Sequence, residues 1–342
     1  MRLVTFVPPE GPPRAGVLLG TSVIDLAAAA PLALEEADDL RWDMLNLLRA
    51  DQEEVNLETA ADIVAAVVAM AGGDLDDPDL NLEDASRSSG TAGSLSIGGA
   101  AMLFPLSQVR LRAPLPRPAS LREFLAFEAH ASARFGLSGG TLPGEWRRQP
   151  VFHFGNHGAI IGPGDEFFAP RVESLDYGLC LACVIGRLGH DVSADEALDY
   201  VVGYTLLNGW TAQDRWVAER PMGLGPAKAR DFATSLGPWL ATADELEMYI
   251  DDDGRLSLTM TARVNNVERS RANAASMTYP FAELIAQASR DVTLFPGDVL
   301  SSGPIGGGTL FEQTGGFGPW LEPGDSVELE ATGLGTLRNR II

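Results

Sequence analysis

Few side chains in this chain of 342 residues can serve as nucleophiles, bases or soft ligands: two cysteines, four histidines and, among 25 basic residues, a single lysine, Lys228. Cys180 and Cys183 are three apart. On a strand that spacing points the sulfurs to opposite faces, so no disulfide is expected. With no second cysteine pair, a structural zinc site would have to borrow histidines from elsewhere. The two cysteines read as small core side chains. His153 and His157 invite a metal reading with Cys180 as a soft ligand. They flank Gly155 in a run with no helical pattern, however, so their spacing does not put them on one face. Other chemistry is not signalled. There is no Gly-x-Gly-x-x-Gly between a strand and a helix. Gly306-Gly307-Gly308 is too short for a phosphate loop and lacks its Lys-Ser/Thr, and no Gly-x-Ser-x-Gly elbow occurs.

The elements that must position these groups are mostly short strands. Residues 2–7, 15–20 and 22–26 alternate as strands around a glycine turn. Residues 38–50 and 57–71 carry helical spacing of apolar side chains, and 72–94 is a polar Asp-, Ser- and Gly-rich surface loop. Pro114-Leu115-Pro116-Arg117-Pro118 cannot lie inside a helix or central strand, which places a domain join near residue 110. Beyond it Ser120 is positioned to cap a helix over 121–135, with Glu123 in the first turn. Strand-like runs follow at 159–161, 179–185, 299–300, 309–312 and 327–330, with helices expected over 194–207 and 280–290. The pattern is α+β and β-rich, without the regular alternation of a doubly wound sheet.

Charge narrows the partners. Asp and Glu total 47, for a formal net charge of −22. Such a surface repels phosphate backbones and anionic lipid, so neither nucleic acid nor a membrane is an expected partner. No run of about 18 apolar residues is present. The first residues lack the apolar core of a signal peptide, and the cysteine usage suits a reducing compartment, so a cytoplasmic location is expected.

From about residue 111 onward the chain resembles the fumarylacetoacetate hydrolase superfamily. The motifs occur in order: Ser120-Leu121-Arg122-Glu123-Phe124 leading to His130, Ile161-Gly162-Pro163-Gly164-Asp165, Leu175-Asp176-Tyr177, Val202-Gly203-Tyr204-Thr205 and Asn208-Gly209-Trp210-Thr211-Ala212-Gln213-Asp214. Arg230-Asp231-Phe232, Leu236-Gly237-Pro238-Trp239, Phe295-Pro296-Gly297-Asp298 and Pro323-Gly324-Asp325 follow. The resemblance implies a mixed β-sandwich roll over residues 111–342, a smaller N-terminal α/β domain over 1–110, a homodimer and a small-molecule substrate.

The resemblance also implies a divalent cation held by four carboxylates, which chelates a 1,3-dicarbonyl substrate and stabilises the enolate that leaves. Here the chain departs from the pattern. The two positions of the Glu-x-Glu strand hold Gly178 and Cys180. The Asn-Asp-Trp motif reads Asn208-Gly209-Trp210, and only Glu123 remains. No bound metal or other cofactor is therefore expected. The acid–base residues match better: His130 aligns with the histidine that activates water, and Glu312 with the glutamate behind it, a pairing suited to general-base catalysis near neutral pH. Arg230 stands where the family has a lysine that steadies negative charge, with Lys228 in the same loop. Both are expected to be catalytic. Glu123, Asn208, Gln213, Trp216 and Tyr177 are expected to contact substrate. Pro304 replaces a threonine, which makes the pocket more apolar. The expected function is a metal-independent enzyme acting on an enolisable 1,3-dicarbonyl or polyketide-like compound by isomerisation, decarboxylation, dehydration or cyclisation. The alternatives are a metal-dependent C–C hydrolase acting on acylpyruvate-type compounds and a non-catalytic metabolite-binding relative.

Overall fold

The opening alternation forms β1 (Arg2–Val7), β2 (Arg14–Leu19) and β3 (Ser22–Asp25), an antiparallel meander. In the computed structural model all residues are described except 38–39, 50–54, 76–81, 83–95, 98–99, 138, 224 and 252–253. Most of the surface loop expected over 72–94 lies outside the described residues. Helix α1 (Leu57–Met70) is capped by Asn56, whose side chain accepts from the Thr59 N–H at 2.8 Å. Within 38–50, the described helix is the single turn Met44–Leu47.

Strands β4 (Leu103–Pro105) and β5 (Arg110–Arg112) return to the meander, β4 on β3 and β5 on β1. Next come β6 (Ser120–Phe124), helix α2 (Glu128–Leu137), β7 (Phe152–Phe154), β8 (Leu179–Ile185), β9 (Val201–Asn208), helix α3 (Gln213–Glu219) and β10 (Thr234–Thr242). Then follow β11 (Thr259–Val264), β12 (Val267–Asn273), helix α4 (Phe281–Ser289), β13 (Asp298–Pro304), the short helix α5 (Leu310–Gln313), β14 (Ser326–Ala331) and β15 (Gly335–Ile341).

One mixed sheet runs β4-β3-β2-β1-β10-β9-β8-β13-β6-β7, and a second holds β15, β14, β11 and β12. The α+β, strand-rich class expected from the sequence is the observed one. The N-terminal strands continue the large sheet, because β1 pairs with β10 through Arg2 opposite Ala241. The central strand β8 is buried along its whole length, as a strand covered on both faces must be. Leu181, Cys183 and Ile185 enter a core shared with Met260, Ala262 and Leu329 of the second sheet and Leu284 of α4. Cys180, Ala182 and Val184 enter the opposite core, with Ile63, Val64 and Val67 of α1. Each fully buried Leu or Ile here contributes roughly 1.5–3 kcal/mol of transfer free energy. The cysteines therefore face away from each other and are free thiols.

Three local expectations are corrected. Residues 120–124 are strand rather than the start of a helix. The capping signal at Ser120 is overridden by a parallel ladder with β13, Ser120 opposite Asp298 and Glu123 opposite Ser301; the helix begins only at Glu128. The helix expected over 194–207 is one 3-10 turn at Ala197–Tyr200 followed by β9. The β-branched and aromatic run Val201-Val202-Gly203-Tyr204-Thr205 suits a pleated strand paired on both edges. Residues 309–312 are not a strand but the N-cap and first turn of α5, with the Thr309 hydroxyl accepting from the Glu312 N–H at 3.2 Å.

Candidate active site

The C-terminal end of β6, helix α2 and the start of α3 enclose a cavity of about 370 Å³. His130 reaches it from α2 and is 3% exposed. Its Nδ1 lies 2.7 Å from Oε2 of Glu312, across 182 residues of sequence. Glu312 is held in turn. Its Oε1 accepts from the Gly307 N–H at 3.0 Å, and its Oε2 accepts from the Thr309 hydroxyl at 2.9 Å. Burial alone would raise this carboxyl, but the bond to His130 and the other two outweigh it, and it titrates below the usual glutamate range. A carboxylate on Nδ1 selects the tautomer that leaves Nε2 as the basic nitrogen. The Gly306-Gly307-Gly308 turn has a packing role: a Cβ on Gly306 would stand 2.7 Å from the Ala129 Cβ, so its absence lets α5 close on α2.

The same cavity is lined by an ion pair. Glu123 of β6 is 2% exposed, and its Oε2 takes a short hydrogen bond from Arg230 Nη2. Its Oε1, also buried, has no hydrogen-bond partner among the described residues. The Arg230 loop is pinned to α3 by Glu219, whose carboxylate accepts from the N–H groups of Ala227, Lys228 and Ala229 at 2.8, 2.7 and 3.3 Å. The guanidinium lies in the space left by Gly209, where any Cβ would collide with Nη2. His153, opposite Glu123 on β7, also lines the cavity. Burial lowers its pKa, and the Glu123 charge only partly offsets this, so it is neutral at pH 7.

The remaining wall is amphipathic. Gln213 donates through Nε2 to Asp176 Oδ2 at 2.9 Å, and its Oε1 faces Nη1 of Arg134 at 3.4 Å. The Arg134 guanidinium stacks 3.9 Å from the ring centre of Trp216. Asp176 is fully buried. It accepts from the Leu310 and Phe311 N–H groups at 2.8 and 3.0 Å, which ties Gln213 to the helix that carries Glu312. Burial pushes its carboxyl up to about 6 despite those bonds. Phe124, Leu125, Phe135, Phe152 and Pro304 supply apolar surface.

Of the residues singled out in the sequence, His130, Arg230, Glu123, Gln213 and Trp216 line this one cavity, and Glu312 stands directly behind His130. Three others do not reach it. Lys228 points outward, 69% exposed, and pairs with Asp231. Asn208 is buried under the site, accepting from the Gly178 N–H at 2.9 Å. Tyr177 is buried with its hydroxyl 2.8 Å from that of Ser270. The sequence reading missed Arg134, Arg220, Asp176 and the cavity role of His153. Arg134 carried a signal, since it lies one helical turn beyond His130 and four-residue spacing shares a face.

The donors do not fit a hard divalent cation. Gly178 and Gly209 have no side chain to offer. Cys180 is a neutral thiol, pushed by burial up to about 12 and donating to the Gly178 carbonyl. The one carboxylate, Glu123, is already paired with a guanidinium. Among the described residues no group of three or more His, Cys, Asp or Glu is arranged to hold a metal. No described helix is long and apolar enough to cross a membrane.

Comparison with known proteins accords with this architecture. Oxaloacetate tautomerase YisK of Bacillus subtilis (strain 168) is 31% identical over 245 residues, which is 70% of this chain and 75% of the relative. The mitochondrial oxaloacetate tautomerase Fahd2a of Rattus norvegicus is 29% identical over 242 residues, 70% of this chain and 72% of the relative. The crystal structure of maleylpyruvate hydrolase from Sphingobium sp. SYK-6 in complex with manganese(II) ion and pyruvate superposes with a TM-score of 0.65 at 23% identity. It covers 100% of this chain and 99% of that one, and shows the shared fold. Residues 122–342 match the family described as fumarylacetoacetate (FAA) hydrolase C-terminal, and the chain belongs to that family of enzymes.

Proposed function

We propose that this protein is a metal-independent enzyme that moves a proton between carbon and oxygen in a small, enolisable carboxylic acid, a keto–enol isomerisation. The observation that carries the reading is the Arg230–Glu123 pair in the space opened by Gly209. Arg230 and His130 line the same cavity, so a guanidinium and a base can meet one substrate there. The similarity to oxaloacetate tautomerases supports the same class.

The chemistry follows from that shared cavity. Nε2 of His130 takes a proton from the carbon beside a carbonyl. The C–H electron pair becomes a C=C bond, and the carbonyl π pair moves onto oxygen. Arg230 faces that developing oxyanion with a charged donor already oriented, a preorganised interaction effective inside an apolar cavity. The imidazolium, stabilised by Glu312, then returns the proton to oxygen. The reverse sequence gives the ketone. One general base contributes typically 10²–10⁴-fold. Hydrolytic C–C cleavage would need water added to a carbonyl before the enolate leaves, and so a second oxyanion to stabilise.

The test is proton NMR in D₂O with oxaloacetate and an acylpyruvate. The expected result is exchange of the protons between the two carbonyls faster than in buffer, without cleavage products. Acylpyruvate cleavage with no enhanced exchange would instead favour a hydrolase.

A further inference from the structure

Glu312 meets His130 from a helix too short to hold its own direction. Helix α5 is a single turn, Leu310–Gln313. The first N–H groups of a helix have no partner within it, and a lone turn is unstable by itself, because nucleation fixes several residues for one hydrogen bond. The groups that accept from those donors therefore decide where the turn sits. Thr309 takes the Glu312 N–H at 3.2 Å. The other two donors go to one side chain of a different element: Leu310 donates to Asp176 Oδ1 at 2.8 Å, and Phe311 to Oδ2 at 3.0 Å.

We propose that Asp176 is a positioning residue, which aims Glu312 at His130 by fixing the α5 turn to the start of α3. Asp176 is fully buried and does not line the cavity. Its own place is set twice. It lies on a two-residue strand, Leu175–Asp176, with Asp176 paired opposite Thr211 and Leu175 opposite Ala212. Gln213, the first residue of α3, then donates through Nε2 to Oδ2 at 2.9 Å. A buried carboxylate is costly unless its oxygens are hydrogen-bonded. Here the donors come from α3 and α5 together, so the group is satisfied only with both elements in place. Beyond α5, the Leu321 N–H donates to the Leu175 carbonyl at 3.0 Å, which holds the following segment against the same strand. With the turn so placed, the bonds from Gly307 and Thr309 orient the Glu312 carboxylate toward His130.

Asp176→Asn keeps the shape but turns one acceptor into a donor. Whichever way the amide sits, one of the two α5 N–H groups then meets another N–H.

The test is the tautomer of His130, read by nitrogen NMR on the full chain with labelled histidine, alongside kcat and KM for proton exchange. In wild type the ring is expected to carry its proton on Nδ1, toward Glu312. In Asp176→Asn the tautomers should mix, and kcat should fall at least about tenfold with KM within about threefold, because the loss falls on the base rather than on binding. Leu310→Pro deletes one of the two bonds from its other end. Proline suits that first position, since Thr309 before it is extended at φ −140° and ψ 153°. The same changes are expected there, and this variant serves if Asp176→Asn fails to fold. Val67→Ala, on α1 in the opposite core, destabilises the chain without touching the tether. It should keep the wild-type tautomer and kcat. An unchanged tautomer in a folded tether variant, a mixed tautomer with unaltered kcat, or equal mixing in Val67→Ala would overturn the role. The rates rest on the proposed isomerisation, whereas the tautomer does not. Tautomers that mix only in the tether variants, in a protein without exchange activity, would keep the positioning role and overturn the proposed reaction.

Discussion

Arg230 and Gly209 are interlocked: the guanidinium that bonds Glu123 lies where a side chain on residue 209 would begin. Gly209→Ala should therefore push Nη2 off Glu123. We expect a loss of about 1–3 kcal/mol of stability from overpacking and at least about a tenfold loss of exchange activity from misplacing the charge. Adding Arg230→Ala to Gly209→Ala removes the collision. The stability losses should then fall short of additive by about 0.5–3 kcal/mol in a double-mutant cycle read by urea denaturation. Strict additivity would mean that the two positions are independent.

The ion pair itself yields a second expectation. Glu123 is 2% exposed, and one of its oxygens has no hydrogen-bond partner among the described residues. Arg230→Met strands that charge and should cost about 3–5 kcal/mol. Replacing both partners, as Glu123→Leu with Arg230→Met, should restore most of the stability while leaving exchange activity abolished. Equal denaturation midpoints for the single and double variants would contradict this.

His130 and Glu312 should separate base from support. His130→Gln is expected to slow exchange by about 10²–10⁴-fold with substrate affinity nearly unchanged, because the loss falls on the transition state. Glu312→Gln keeps the shape and leaves a weaker partner on Nδ1, so a smaller loss is expected, with a changed pH–rate profile. Rates equal to wild type in His130→Gln would remove the histidine from the chemistry.

Asp176 makes a pH-dependent contribution of definite sign. Its folded-state value, about 6, lies above the ordinary aspartate value of 3.8. Between those values the folded chain holds a proton that the unfolded chain has released. Stability from this group is thus greatest below about pH 4 and falls as pH rises through 6, by up to about 3 kcal/mol. Asp176→Asn does not titrate. Its stability relative to wild type should accordingly improve between pH 4.5 and 7 in urea titrations. A difference that is flat or moves the other way would contradict the assignment.

Several parts of this site were legible because they rest on residue type in motif order. His130, Arg230 and Glu123 line one cavity with Glu312 behind His130, since each sits at the end or turn of an element whose position the fold dictates. What misled was local signal facing long-range pairing. Ser120 with Glu123 reads as a helix start until Asp298–Ser301 is brought alongside, and no property of residues 120–124 alone announces that ladder. Thr309 and Glu312 have capping-box spacing, a readable mark of the α5 turn that the apolar Leu310-Phe311 pair obscured. Lys228 looked functional by its rarity and its place in the Arg230 loop, yet Glu219 fixes its backbone while its side chain faces solvent. Arg134 went unnoticed, and Asp176 stood only within a motif without a role, because their importance comes from Trp216 and Gln213, partners dozens of residues away.

The central claim is that a guanidinium stands in for a metal ion, and the direct measurement is exchange activity of protein stripped with EDTA, followed by addition of magnesium or manganese, with metal content determined on the same sample. The account expects metal-free protein to retain its full rate, with no gain on adding either ion. Activity lost on stripping and restored by a stoichiometric dication would contradict it.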